Sequence, residues 1–161
     1  MVEAGGGFSL QIEIDEVIAI TPAVAESFAE LVRQLSSSAR MPSKGELEEI
    51  VASPATIVLA ARASEKIVGM LTLVVFRIPT GVRGIIEDVV VDEAYRGQGI
   101  AEALTREALA RSGAAGAKTV DLTSRPSREA ANRLYQRLGF QKRDSNVYRF
   151  SLGKGGSNGA Y

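Results

Sequence analysis

Between Val89 and Ala108 four kinds of sequence follow one another. Val89-Val90-Val91 is a short apolar run that suits a buried strand. Asp92–Tyr95 is a polar break, and Arg96-Gly97-Gln98-Gly99 is a basic, glycine-rich turn. Ile100, Leu104 and Ala108 then recur at helical spacing. A strand that runs through glycine into a helix makes an anion site. Glycine lets the backbone come close to a ligand, and the free N–H groups of the first helical turn point at it. Arg96 adds a fixed positive charge. The stretch also constrains topology, because strand, helix and next strand form a right-handed crossover. That crossover predicts Val89–Val91 parallel to a strand at Thr119–Thr123.

The rest of the chain supplies elements to pack around this unit. Leu10, Ile12 and Ile14 alternate with polar residues and predict an amphipathic strand over Ser9–Ile14. Thr21-Pro22 reads as a helix N-cap with proline in the first turn, and Val24, Phe28, Leu31, Val32 and Leu35 form one apolar face. Pro42-Ser43 opens a second short helix that stops near Ser53-Pro54. Thr56–Ala61 and Ile67–Phe76 predict a hairpin, and a turn at Pro79–Gly84 predicts Ile85–Val91 antiparallel to the strand before it. Pro126-Ser127 starts a last helix, closed at Gly139. Phe140–Arg143 and Val147–Leu152 read as two final short strands. The order β-α-α-β-β-β-α-β-α-β-β is a single α/β (α+β) domain over residues 9–152. Residues 1–8 and the glycine-rich residues 153–161 read as flexible tails.

Composition narrows the chemistry. The 161 residues carry 19 Lys+Arg against 19 Asp+Glu, which argues against broad binding to nucleic acid or a membrane surface. No apolar run approaches ~20 residues, and no signal peptide is visible, so cytoplasm is the default expectation. The chain has no Cys and no His. Structural zinc sites and any metal centre built on these residues are therefore excluded, as are a Cys nucleophile and a His base. Proton chemistry falls to Asp, Glu, Lys, Tyr, a terminus or water.

The glycine turn alone fits a plain strand-to-helix connection or a phosphate site. A dinucleotide fingerprint fails, because Glu102 stands where its third glycine belongs and would repel a pyrophosphate. A Walker-type loop fails for want of Gly-Lys-Ser/Thr. Glu87 and Asp88 interrupt an apolar strand, which is costly unless they face water or a partner. Alternation puts Glu87 on one face with Val89 and Val91, and Asp88 on the other. They read either as a solvated strand end or as a carboxylate base. Tyr135, by spacing, shares a face with Ala131 and Leu138 and reads as a core aromatic.

Two motifs then mark a resemblance. Arg96-Gly97-Gln98-Gly99-Ile100-Ala101 matches Arg/Gln-x-x-Gly-x-Gly/Ala, and Leu134-Tyr135-Gln136-Arg137-Leu138-Gly139-Phe140 matches a helix ending Leu-Tyr-x-x-Leu-Gly-Phe. In this order they resemble the GNAT superfamily of acetyl-CoA-dependent N-acetyltransferases, over roughly Ser9 to Leu152. The resemblance implies a mixed, twisted sheet of about seven strands flanked by about four helices. It implies acetyl-CoA as co-substrate, its pyrophosphate on the N–H groups of Gly97, Gln98, Gly99, Ile100, Ala101 and Glu102, with Arg96 beside it. The pantetheine arm would run along Val89, Val90 and Val91, and an N–H near Val89 would hold the acetyl oxygen.

The resemblance also assigns proton transfers. Tyr135 would protonate the departing thiolate. The Glu-Asp pair resembles polyamine and amino-sugar members, in which a Glu here is the proposed base, so Glu87 is the expected base and Asp88 the fallback. Many members carry Asn seven residues before the tyrosine; here that place holds Arg128. Asn132, one turn on, replaces it or does not, and Arg128 either reaches a CoA phosphate or is a solvated residue of the first turn. The acceptor, a small-molecule or peptide amine, would meet residues 34–44, 76–83 and 145–148. The rival reading is an acyl-CoA-binding module without turnover. Dimers are common in the family, so a homodimer is compatible with the resemblance.

Overall fold

The computed structural model describes residues 11–152. The expectations for residues 1–8 and 153–161, and for Ser9 and Leu10 of the first strand, lie outside the described residues. Five strands form one sheet in the order β1-β2-β3-β4-β5. They are β1 (Ile12–Glu16), β2 (Thr56–Ala63), β3 (Lys66–Ile78), β4 (Gly81–Val91) and β5 (Thr119–Leu122). Four helices accompany them: α1 (Pro22–Leu35), α2 (Lys44–Ala52), α3 (Ile100–Ala114) and α4 (Glu129–Arg137). No described helix is long and apolar enough to cross a membrane.

Local chemistry sets the helix starts. Thr21 accepts the Val24 N–H at 3.2 Å, ahead of Pro22. Ser43 and Glu46 form a reciprocal capping box that opens α2. The sheet separates two apolar layers. Val24, Phe28 and Leu31 of α1 and Leu47 of α2 cover Val58, Ala60, Met70 and Val90 on one face. Ile100, Leu104 and Ala108 of α3 cover Leu59, Leu71, Leu73 and Ile86 on the other.

Gly69 lets α3 lie this close. A Cβ there would stand 3.2 Å from Ile100 Cγ2, 3.3 Å from Leu104 Cδ1 and 3.3 Å from the Val90 carbonyl oxygen. The opening stretch of sequence is therefore held from below by a residue on a different strand.

Four expectations need correction. The turn between β3 and β4 is only Pro79-Thr80, so β4 starts at Gly81 and its first half is strand. The parallel partner of β5 is Arg83–Ile86, not Val89–Val91. The faces of β4 also change midway. Thr72 pairs with Glu87 and Met70 with Val90, so Asp88 and Val89 together oppose Leu71. This is a β-bulge, with Asp88 at φ 51°. It turns Val89 and Val91 towards the α3 layer and Val90 towards the α1 layer, so Glu87 does not share a face with Val89 and Val91. Finally, the sheet has five strands among the described residues rather than about seven. Residues 141–152 are exposed and carry no strand pairing. Alternation supplies strand propensity, but a strand exists only when an edge accepts it.

Candidate functional site

Pairing between β4 and β5 ends at Ile86 opposite Leu122. Beyond it, Glu87–Val91 keeps β3 on one side and has no strand partner on the other among the described residues. That side of Glu87–Val91 is therefore a wall of backbone donors and acceptors without a strand partner among the described residues.

At the end of that wall the chain turns through a short 3₁₀ helix, Glu93–Tyr95, into Arg96–Gly99. Gly97 and Gly99 take φ 77° and 78°, left-handed values that disfavour a side chain. Neither has an atom within 4 Å of an added Cβ, so their role is conformational rather than steric. Gly99 caps α3 with no side-chain bond. The first bond into the helix runs from Ala103 N–H to the Gly99 oxygen, and the N–H groups of Gly97–Glu102 find no protein acceptor among the described residues. The exposed Arg96 guanidinium folds back, Nε donating to the Val91 oxygen at 3.1 Å. Its other nitrogens stay at the turn. Glu102 does not leave a bare negative charge there, because Arg106 binds its carboxylate at 2.8 Å and Arg137 of α4 lies 3.8 Å away.

Three residues that sequence reasoning missed hold this turn in place. The buried Asp92 accepts the Ala94 N–H at 3.0 Å and the Lys66 ammonium at 3.3 Å. The Ala94 bond, helped by Lys66 and opposed by burial, holds the Asp92 carboxyl below its ordinary value. Asp92 in turn raises Lys66. Gln34, at the end of α1, accepts the Glu93 N–H at 2.9 Å. The partners are 26 and 59 residues apart, so no local signal could have paired them.

Tyr135 lies in α4, half-buried, with its ring edge-to-face on Phe140 at 5.7 Å. Burial raises its phenol above the ordinary value, and the charge of Arg128 partly opposes this. Asn132 is committed to the loop after β5: its amide donates to Arg125 O at 3.0 Å and Pro126 O at 3.5 Å. An open cleft of about 1130 Å³ brings Tyr135 and Asn132 together with Leu122 and Ser124. Ser124 Oγ is buried there without a partner among the described residues. The residues lining this cleft include neither the glycine turn nor Glu87. Glu87 and Asp88 are exposed and make no ion pair among the described residues.

The open N–H groups of the turn suit an anion, and the hydroxyl in the separate cleft suits a polar ligand. Comparison with known proteins points the same way. The model of the acetyltransferase (GNAT) family matches residues 24–140. No curated protein matches the chain. An acetyltransferase of Trypanosoma brucei is 26% identical, with a TM-score of 0.72 over 88% of this chain and all of that one. A transcriptional regulator from Bacillus halodurans C-125 is 25% identical, with a TM-score of 0.75 over 88% and 100%. A structure of AAC(6')-Iy with the bisubstrate analog CoA-S-monomethyl-acetylneamine is 16% identical, with a TM-score of 0.71 over 89% and 99%, and shares the fold.

Proposed function

The chain belongs to the acetyltransferase (GNAT) family, and on that premise we propose that it moves the acetyl group of acetyl-CoA directly to a primary amine of a small molecule or peptide. The observation that carries this reading is the junction of an unpaired β4 wall, Glu87–Val91, with the open N–H groups of Gly97–Glu102. A pantetheine arm is an extended amide chain ending in a pyrophosphate, and it needs those two features end to end. Val89, Val90 and Val91 supply the wall. Gly97, Gln98, Gly99, Ile100, Ala101 and Glu102 supply the donors, and Arg96 supplies charge.

Transfer is direct because no Cys exists to carry an acetyl group. The amine attacks the thioester carbon, its excess proton leaves, and the CoA sulfur departs as thiolate. An amine of pKa ~10 is mostly ammonium near neutrality, so a base must remove its proton first. Glu87 fills that role, directly or through water. Its exposure on the bulged segment supports access to an incoming acceptor; Asp88, one residue on, is the alternative. Tyr135 donates to the thiolate. Burial keeps its phenol protonated at neutral pH, and the departing thiolate takes that proton. Arg128 takes the place where many relatives carry Asn, and Asn132 holds the loop that precedes it.

The test has two stages. Saturating acetyl-CoA raises the melting temperature of the full chain, and a panel of amines then releases free thiol from it. An unchanged melting temperature removes the reading at its root. Stabilisation without thiol release from any amine favours a binding module.

A further inference from the structure

Ser124 stands two residues past Leu122, the last residue of β5 and the partner of Ile86. Two residues of chain reach at most about 7 Å, so Ser124 lies close to the point where the unpaired wall of β4, Glu87–Val91, begins. Its Oγ is buried and finds no hydrogen-bond partner among the described residues. A hydroxyl in that condition is destabilising, because it has left water and gained no bond in return. Such a group in a folded chain calls for a reason. Asn132, which lines the same cleft, does not relieve it: its amide is committed to Arg125 O and Pro126 O at 3.0 and 3.5 Å. Tyr135, also in that cleft, turns its ring edge to Phe140. The partner of Ser124 therefore comes from outside the chain described.

We infer that Ser124 is a binding residue for the arm of the acyl donor, its hydroxyl donating to an amide carbonyl of the pantetheine chain. The inference rests on the acetyl-CoA reading above. An arm laid along Glu87–Val91 exchanges backbone bonds with β4 on one side. Its other side faces the place where β5 no longer pairs, and Ser124 stands at the head of that place. A hydroxyl carries one donor, and a single carbonyl uses it fully. The arrangement also explains why the orphan is tolerated. The hydroxyl is already out of water in the free chain, so a ligand that meets it gains the bond without first dehydrating the group. Affinity for the arm is raised at the expense of the stability of the free chain.

Ser124→Ala separates this role from a structural one, because the two have opposite signs. Removal of an unpartnered hydroxyl should leave the melting temperature of the free chain equal to that of the wild type or higher. The dissociation constants of acetyl-CoA and of S-acetylpantetheine, which has the arm without the nucleotide, should each rise about tenfold. That of adenosine 3′,5′-bisphosphate, the nucleotide without the arm, should change by less than about twofold. Calorimetric titration of the full chain reads all three. Unchanged affinity for acetyl-CoA overturns the inference and leaves the hydroxyl to a water. A lower melting temperature of the free variant, or an equal loss for the bisphosphate, overturns it in favour of a structural role. A wild-type chain that binds none of the three overturns the acetyl-CoA reading itself, and this inference with it.

Discussion

Lys66, at the start of β3, places its ammonium 3.3 Å from a carboxylate oxygen of the buried Asp92, the residue that caps the turn leading into the glycine loop. The pair ties the start of β3 to the glycine turn. Asp92→Ala removes the cap and the ammonium's partner together. A lost helix cap costs about 1 kcal/mol, and the Michaelis constant for acetyl-CoA is expected to rise more than kcat falls. The pH dependence has a definite sign. The folded carboxyl is held below its unfolded value, so its stabilisation is present above the unfolded value, about pH 4, and is lost as pH falls through the folded one. Melting temperatures measured from pH 3 to 7 should show a shallower acid limb in Asp92→Ala than in the wild type.

Gly69 makes a prediction about packing. A methyl group there would press on Ile100, Leu104 and the Val90 carbonyl at 3.2–3.3 Å. Overpacking of this kind costs about 1–3 kcal/mol. Gly69→Ala should lower denaturation midpoints in urea and weaken acetyl-CoA binding, since α3 starts at the displaced residue. An unchanged midpoint would mean that α3 slides without cost.

How much of this was legible follows the range of each interaction. Thr21-Pro22 and Ser43 could be read because a cap is settled within three residues of chain. Arg96–Ala101 could be read because the need for left-handed backbone is a local demand that glycine meets. The bulge at Asp88 could not, since it is a count of β4 residues against Leu71 on another strand. Alternation therefore misassigned the face of Glu87. The same limit hid Lys66, Gln34 and Gly69, whose partners lie 21 or more residues away. Tyr148, Phe150 and Leu152 show the converse: their alternation is real, but residues 141–152 carry no strand pairing among the described residues.

Glu87 is assigned the base in the proposed reaction, and its removal should act through the proton. In Glu87→Gln the amine loses its acceptor while the backbone and bulge stay. Turnover should fall about 10²-fold or more at pH 6–7, the scale of general base catalysis. The deficit should shrink towards pH 10, where the free amine forms unaided. Parallel pH–rate profiles, displaced by a constant factor, would assign Glu87 a role other than proton removal; the same measurement on Asp88→Asn then decides the alternative.

Tyr135→Phe keeps the ring, and with it the edge-to-face contact to Phe140. Its melting temperature should match the wild type. Turnover should fall by about 10²-fold or more, the usual worth of a general acid. Because burial raises the phenol above 10, an acid in this position stays protonated through the whole working range. The wild-type rate should therefore show no alkaline decline from this group below about pH 10. Full turnover in Tyr135→Phe would make Tyr135 a packing residue of α4 and remove the acid from the mechanism.

The last prediction separates conformation from contact at the glycine turn. Gly99 caps α3 at φ 78° with open space around it. Gly99→Ala meets no atom, so its cost is the left-handed backbone alone, about 1–2 kcal/mol. The chain can relieve that strain only by turning the peptide, which swings the N–H groups of the first helical turn away from their common focus. Loss of acetyl-CoA affinity should therefore exceed loss of stability, and a D-alanine placed at residue 99 by semisynthesis should restore both, because D-residues favour positive φ. If D-alanine and L-alanine weaken binding equally, the methyl group blocks the ligand directly, and the turn approaches the phosphates more closely at Gly99 than the conformational account requires.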